Sequence, residues 1–98
     1  MRFDKQIQLF VLEEHQDGLG GHTQSERFIC FRYANIEELS LETTIKIYGE
    51  AITQNVKAII LGDVEKIDKI KIDDIKYRVI SQRKIKNKTS FFLELDND

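Results

Sequence analysis

The residues that come nearest to a metal-binding site are His15, Asp17 and His22, because imidazoles and carboxylates are common metal ligands. They surround a short glycine cluster, and this spacing matches no familiar structural or catalytic metal pattern. The chain has one cysteine, Cys30, and an isolated thiol adds little to such a site. We therefore expect neither a metal nor another cofactor.

Nucleophilic and acid–base catalysis find equally little support. Cys30 lies between two apolar residues of a strand-like stretch, where a thiol is usually inert. The carboxylate pairs Glu13-Glu14 and Glu37-Glu38 are adjacent, so in a strand the two side chains of each pair point to opposite faces. The sequence has neither a P-loop nor a Gly-x-Gly-x-x-Gly turn between a strand and a helix. We predict that the protein is not an enzyme.

Length and composition set the class of protein. The 98 residues predict a single domain over 1–98, and 41% hydrophobic with 33% charged residues is typical of a soluble globular chain. No apolar run approaches the roughly 20 residues of a membrane span, and the first residues lack the apolar run of a signal peptide. The single cysteine excludes an intramolecular disulfide. We expect an intracellular protein without a membrane partner.

Short alternating segments separated by turns make up most of the sequence. The cluster Asp17-Gly18-Leu19-Gly20-Gly21 predicts a turn between a strand at Lys5–Glu13 and a strand at Glu26–Asn35. Further strands are expected at Ala51–Leu61, around Ile70 and Ile72, from Ile75 to Val79, and from Phe91 to Leu95. Turns are expected at Gly62-Asp63, Asp73-Asp74 and Asn87-Lys88. This pattern predicts an all-β fold, a small antiparallel β-barrel of six or seven short strands with long loops.

Charge is unevenly distributed along the chain. Residues 1–56 carry five basic and nine acidic side chains, whereas residues 57–88 carry ten basic and five acidic ones. The stretch 76–88 contains cations and no acid: Lys76, Arg78, Arg83, Lys84, Lys86 and Lys88. Such a stripe would meet phosphate or an acidic protein surface. The alternative is a solvated strand face whose lysines discourage edge-to-edge aggregation.

Two functions remain open from the residues. One is an assembly module whose barrel edges and loops dock onto neighbouring subunits. The other is an OB-like module that binds single-stranded nucleic acid with the basic hairpin 76–88, a function that aromatic side chains exposed on a sheet face would favour. The aromatic residues fall mostly in apolar alternation and are predicted to lie largely in the core, so the assembly function leads: Phe28, Phe31, Tyr33, Tyr77, Phe91 and Phe92.

The order of several short motifs resembles that of a known family. The motifs are Ile7-Gln8-Leu9, the glycine cluster, Ala34-Asn35-Ile36, the segment 69–80 and the closing strand Phe92-Leu93-Glu94-Leu95. In this order they resemble the head–tail connector proteins of long-tailed bacteriophages, the head-completion or stopper family that is also found in prophages. The resemblance covers nearly the whole chain. It implies a small β-barrel that forms a ring beneath the portal and adaptor rings, helps to retain packaged DNA and docks the tail.

The same resemblance implies partners and a location. The partners would be the portal or adaptor ring proteins and the tail proteins of the same virion, together with further copies of this chain in a homo-oligomeric ring. We expect a monomer in isolation, because small connectors assemble on a template. The ring would lie in the virion neck, close to packaged DNA, after assembly in the host cytoplasm.

Three groups of residues are candidates for these roles. The structural turn consists of Asp17, Gly18, Gly20 and Gly21. The segment Ser40 to Asn55 corresponds to the family's loop that projects into the ring channel, with Glu42, Lys46, Glu50 and Asn55 as candidates, although Thr43–Tyr48 would equally suit a further sheet strand. Contacts to a subunit or partner are assigned to Arg83, Lys84, Lys86 and Lys88, so changing Lys84 and Lys86 to Glu should impair ring assembly.

Overall fold

Six antiparallel strands form the protein in a computed structural model that describes residues 2–16, 18, 22–38 and 55–96. The strands are β1 (Lys5–Gln16), β2 (His22–Glu38), β3 (Val56–Leu61), β4 (Lys69–Ile72), β5 (Ile75–Ile85) and β6 (Lys88–Leu95). Their order around the sheet is β1-β2-β3-β6-β5-β4, and the pairing of β4 with β1 closes it into a barrel. The predicted all-β barrel is confirmed.

Alternation along the strands fills the barrel interior. Ile7, Leu9 and Val11 of β1 are buried, as are Ile70 and Ile72 of β4. Because successive side chains of a strand point to opposite faces, a shift of one residue would move each of these groups to the outside. Their partners in the core come from the other strands and from the loop before β4: Ala34, Val56, Ala58, Ile60, Ile67, Phe91 and Leu93.

A β-bulge interrupts the pairing in each of the two longest hairpins. Leu9 pairs with Cys30 and the next residue, Phe10, pairs with Phe28, so Ile29 is the extra residue of β2. In the second hairpin the pairing shifts between Val79 and Ser81, which leaves Ile80 as the extra residue of β5. Because a bulge inserts one extra residue, every residue beyond it points to the face opposite the one that regular alternation would predict.

Tight turns join the strands near the predicted positions. Asp73 and Asp74 connect β4 to β5 with φ angles of 51° and 66°, the left-handed values that favoured two-residue hairpins require. Gly62 follows β3 with φ 84°, and a Cβ there would meet only the Arg32 Nη1 atom at 3.8 Å, so conformation rather than space requires glycine. The last turn contains Lys86, at φ 57°, one residue before the predicted position.

The first hairpin extends beyond the barrel as a two-stranded arm. β4 pairs with β1 only over Gln8–Phe10, and β3 pairs with β2 only over Ala34–Glu38. Elsewhere β1 and β2 have only each other as strand partners within the described residues, up to the pair Gln16 and His22. Both strands are therefore longer than predicted, and the molecule measures 48 × 30 × 25 Å along its principal axes. In the part of the chain that the structure describes, no helix is both long and apolar enough to cross a membrane.

Candidate docking surfaces on the barrel wall

The predicted turn and channel residues lie mostly outside the described part of the chain. Gly18 is exposed at the end of the arm, while Asp17, Gly20 and Gly21 lie outside the described residues. Glu42, Lys46 and Glu50 also lie outside them, as does the alternative strand at Thr43–Tyr48. Asn55 stands directly before β3 and is buried, so in the isolated chain it forms part of the barrel and not of an open surface.

Three of the six cations in the stretch 76–88 form ion pairs within the chain. Lys76 binds the Glu26 carboxylate of the arm, and Arg78 binds Glu94 of the neighbouring strand β6. The Lys84 Nζ atom lies 3.2 Å from Asp63 Oδ2. An accessible pair such as Lys84 with Asp63 contributes little to stability, but all three pairs neutralise charge that a partner would otherwise meet.

Asp63 shows the electrostatic effect of its partner. The hydrogen bond from Lys84 holds the pKa of the Asp63 carboxyl below its ordinary value of 3.8, and a second hydrogen bond from the Val64 backbone N–H acts in the same direction. Both donors stabilise the ionised carboxylate. Lys84 is therefore engaged within the chain and is a weaker candidate for a partner contact than its neighbours.

The remaining cations lie together at the end of the β5–β6 hairpin. Arg83, Lys86 and Lys88 have no ion-pair partner within the described residues, and Ile85 between them is 60% exposed. We call these four residues the basic tip. A shallow depression of about 280 Å³ lies beside them, lined by Lys57, Ile59, Ile85, Lys86, Asn87, Lys88 and Ser90. The basic tip thus combines positive charge with an accessible apolar side chain.

An exposed aromatic surface covers the opposite wall of the barrel. Phe28, Phe31 and Tyr33 of β2 are 44%, 51% and 60% exposed, and Phe10 of β1 lies beside them. The ring centroids are 5.7 Å apart for Phe10 and Phe28 and 4.9 Å apart for Phe28 and Phe31, with edge-on geometry in both pairs. We call Phe10, Phe28, Phe31 and Tyr33 the aromatic face.

Phe28, Phe31 and Tyr33 correct the sequence prediction that the aromatic residues singled out lie largely in the core. Phe91 is fully buried, as predicted. Phe28, Phe31 and Tyr33 are exposed, so the prediction is wrong for these three residues. Phe31 and Tyr33 face outward because they pair with Gln8 and Gln6 on the outer side of β1, and the bulge at Ile29 turns Phe28 to the same side, where it pairs with Phe10. The run Arg27 to Ala34 carries no composition signal that marks the bulge.

Acidic side chains flank the aromatic face. Glu14 is exposed on the same side of β1 as Phe10, beyond Leu12. Glu26 belongs to the same face of the arm and accepts the bond from Lys76, whose Nζ atom lies 5.7 Å from the centre of the Phe10 ring. The ring of Phe10 therefore already accepts a cation from within the chain.

Strand order fixes the relation between the two surfaces. In the ring of six strands, β1 stands three positions from β6, and β2 stands three positions from β5. Outward-facing residues of β2 therefore point away from those at the hairpin end of β5 and β6, although Lys76 at the start of β5 still reaches Phe10. The aromatic face and the basic tip lie on opposite sides of one barrel, and a single copy of the chain cannot bring them together.

Comparison with known proteins identifies the fold but no family. No family model matches the chain, and no curated protein matches it. Among solved structures, the solution structure of protein SF1141 from Shigella flexneri 2a is similar, with a TM-score of 0.78 and 14% sequence identity over 99% of this chain and 96% of that one. At this identity the likeness shows a shared fold over nearly the whole length of both chains, and only the fold.

Proposed function

We propose that the protein is a structural subunit of the head–tail joint of a long-tailed bacteriophage or prophage. Copies of the chain form a ring under the portal and adaptor rings, where the ring helps to close the DNA channel and docks the tail. The observation that supports this proposal is the pair of unlike exposed surfaces on opposite sides of a small closed barrel. A ring needs such a heterologous contact, in which different patches of neighbouring subunits meet.

The mechanism is mechanical and not chemical. A closed barrel leaves few unpaired strand edges and gives a stiff wall, whereas the arm formed by the outer parts of β1 and β2 offers backbone edges that neighbours can cover. Stiff subunits held side by side resist the outward pressure of packaged DNA. The chain acts at the virion neck, after assembly in the host cytoplasm, with portal or adaptor and tail proteins as partners.

Association with phage heads tests the proposal. Purified protein is mixed with tail-less, DNA-filled heads, the heads are pelleted, and the neck is imaged by cryo-electron microscopy. We expect a ring of this protein below the portal and suppressed loss of DNA. Absence from the pelleted heads would refute the connector function.

The aromatic face supports a second candidate, an OB-like module for single-stranded nucleic acid. Exposed rings on a sheet face are the platforms on which bases stack. Such platforms work together with cations that follow the nucleic-acid backbone, but here the cations of the basic tip lie on the other side of the barrel. Salt-sensitive binding of an oligonucleotide, lost when Phe31 is changed to Ala, would favour this function over the connector.

A further inference from the structure

We propose that the aromatic face of one copy binds the basic tip of the next copy, which makes this contact the subunit interface of the ring. The proposal rests on the proposed function for its setting, since a virion neck supplies the template on which the contact repeats. It commits the exposed aromatic face to one occupant, a second copy of this chain.

Chemical complementarity is the first argument. The face of an aromatic ring attracts a cation within about 6 Å of its centre. Phe10 already holds Lys76 in this way, whereas Phe28, Phe31 and Tyr33 expose their rings with no cation against them in the described part of the chain. The basic tip supplies cations that have no ion pair with any described residue, and it places them around an exposed isoleucine suited to an apolar ring surface.

Charge at the rim of the contact is the second argument. Glu14 is exposed on the arm, on the same side of β1 as the aromatic face and four residues beyond Phe10. Lys86 lies in the hairpin turn of the basic tip, and Lys88 is the first residue of β6 after it. Opposite charges at a rim guide the approach of two surfaces and disfavour the wrong orientation. Pairing like with like, aromatic face to aromatic face, would instead place the acidic rims together, and tip to tip would place the cations together.

The positions of the two surfaces on the barrel allow the contact to repeat from copy to copy. The two surfaces lie on opposite walls, so each copy that binds one neighbour leaves its other surface free for the next. Repetition of one such contact gives a ring if the rotation closes. A symmetric dimer would stop after two copies and leave one of the two surfaces exposed.

Disulfide trapping between two single-cysteine variants tests the contact. In a Cys30→Ala background, one preparation carries Tyr33→Cys and a second, larger-tagged preparation carries Ile85→Cys. Each is oxidised alone and in a mixture at a total concentration on the order of 1 mM, which populates weak contacts. We expect the mixed dimer to exceed either homodimer several-fold, and a chain with both substitutions to form a ladder of oligomers.

A different partner on the aromatic face would change the pattern of disulfide trapping. Efficient trapping of the Tyr33→Cys variant with itself would show a symmetric contact and overturn the proposal. No trapping in any mixture would overturn it as well, and so would protection of the Tyr33→Cys thiol by a single-stranded oligonucleotide. Lys86→Glu should lower the mixed yield by about threefold or more through its charge. Lys66→Glu, at an exposed lysine of the loop before β4, is the matched control and should leave the yield unchanged.

The trapping experiment separates this proposal from the connector function. It uses the purified chain alone, whereas the connector function is tested by binding to heads. Mixed trapping without binding to heads would refute the phage role and retain the contact. Binding to heads without mixed trapping would refute the contact and retain the role.

Discussion

Phe28 and Phe31 stand three residues apart in β2 yet share its outer face, with ring centroids 4.9 Å apart. Regular alternation would place them on opposite faces, and the bulge at Ile29 brings them together. The bulge therefore adds Phe28 to the outer face on which Phe31 and Tyr33 lie. The exposed ring of Phe28 is available to a partner, whereas the buried ring of Phe91 stabilises the fold.

Truncation of one exposed and one buried phenylalanine should separate these two roles. Phe91 is fully buried, so Phe91→Ala should lower the free energy of unfolding by about 3–5 kcal/mol. Phe31→Ala removes an edge-on ring contact from an exposed site and should lower the free energy of unfolding by about 1 kcal/mol. Urea denaturation measures both changes. Equal losses would show that the aromatic face supports the fold as strongly as the core does.

The ion pair between Lys69 and Asp96 is a second determinant of stability. Its side chains are only 10% and 4% exposed, and the Asp96 N–H also donates to the carbonyl of Lys76. Asp96→Asn should destabilise the protein by about 3–5 kcal/mol, because it leaves the buried Lys69 ammonium without its anion. Chemical denaturation at neutral pH measures the loss.

A matched control for that loss is the accessible ion pair between Lys5 and Asp73, whose side chains are 39% and 64% exposed. Lys5→Met should change the stability by less than about 1 kcal/mol.

The double variant Lys69→Met with Asp96→Leu should recover much of the stability that Asp96→Asn loses, because no buried charge remains unpaired. A double variant as unstable as Asp96→Asn would contradict this account.

Asp63 predicts a specific acid dependence of stability. Because the hydrogen bond from Lys84 lowers its pKa in the folded state, the carboxyl contributes stability above its ordinary value of 3.8. That contribution is lost as the pH falls below this value and through the lowered native pKa. The melting temperature of Asp63→Asn should therefore approach that of the wild type as the pH falls through this range. A gap that stays constant with pH would contradict the assignment.

Much of the fold could be predicted from the sequence, because alternation and turn chemistry are local signals. Ile7, Leu9 and Val11 show the inner face of β1 directly, and Asp73-Asp74 marks a hairpin. The aromatic face was harder to predict from the sequence, because the placement of Phe28 depends on where the pairing of β1 with β2 shifts. Neither the bulge at Ile29 nor the neutralisation of Lys76 by Glu26, fifty residues away, is encoded by any local pattern.

Asp68 fixes the base of the arm and provides the last prediction. Its carboxylate accepts a hydrogen bond of 2.8 Å from the Leu12 N–H, its own N–H donates to the Phe10 carbonyl at 3.0 Å, and its carbonyl accepts from Val79 at 3.0 Å. Asp68→Ala removes only the first of these, at the point where β1 leaves β4. We expect a loss of about 1.5–3 kcal/mol, the range for a hydrogen bond to a charged group.

Hydrogen exchange can localise that effect. The Leu12 amide should exchange much faster in Asp68→Ala, while the Leu9 amide within the barrel should follow global stability alone. Asp68→Asn keeps an acceptor oxygen and should protect Leu12 to an intermediate degree. Uniform acceleration at both amides would show that Asp68 stabilises the whole barrel and not the base of the arm. Because the arm carries Glu14 on the same side of β1 as the aromatic face, loosening the base of the arm should also weaken the proposed contact between copies.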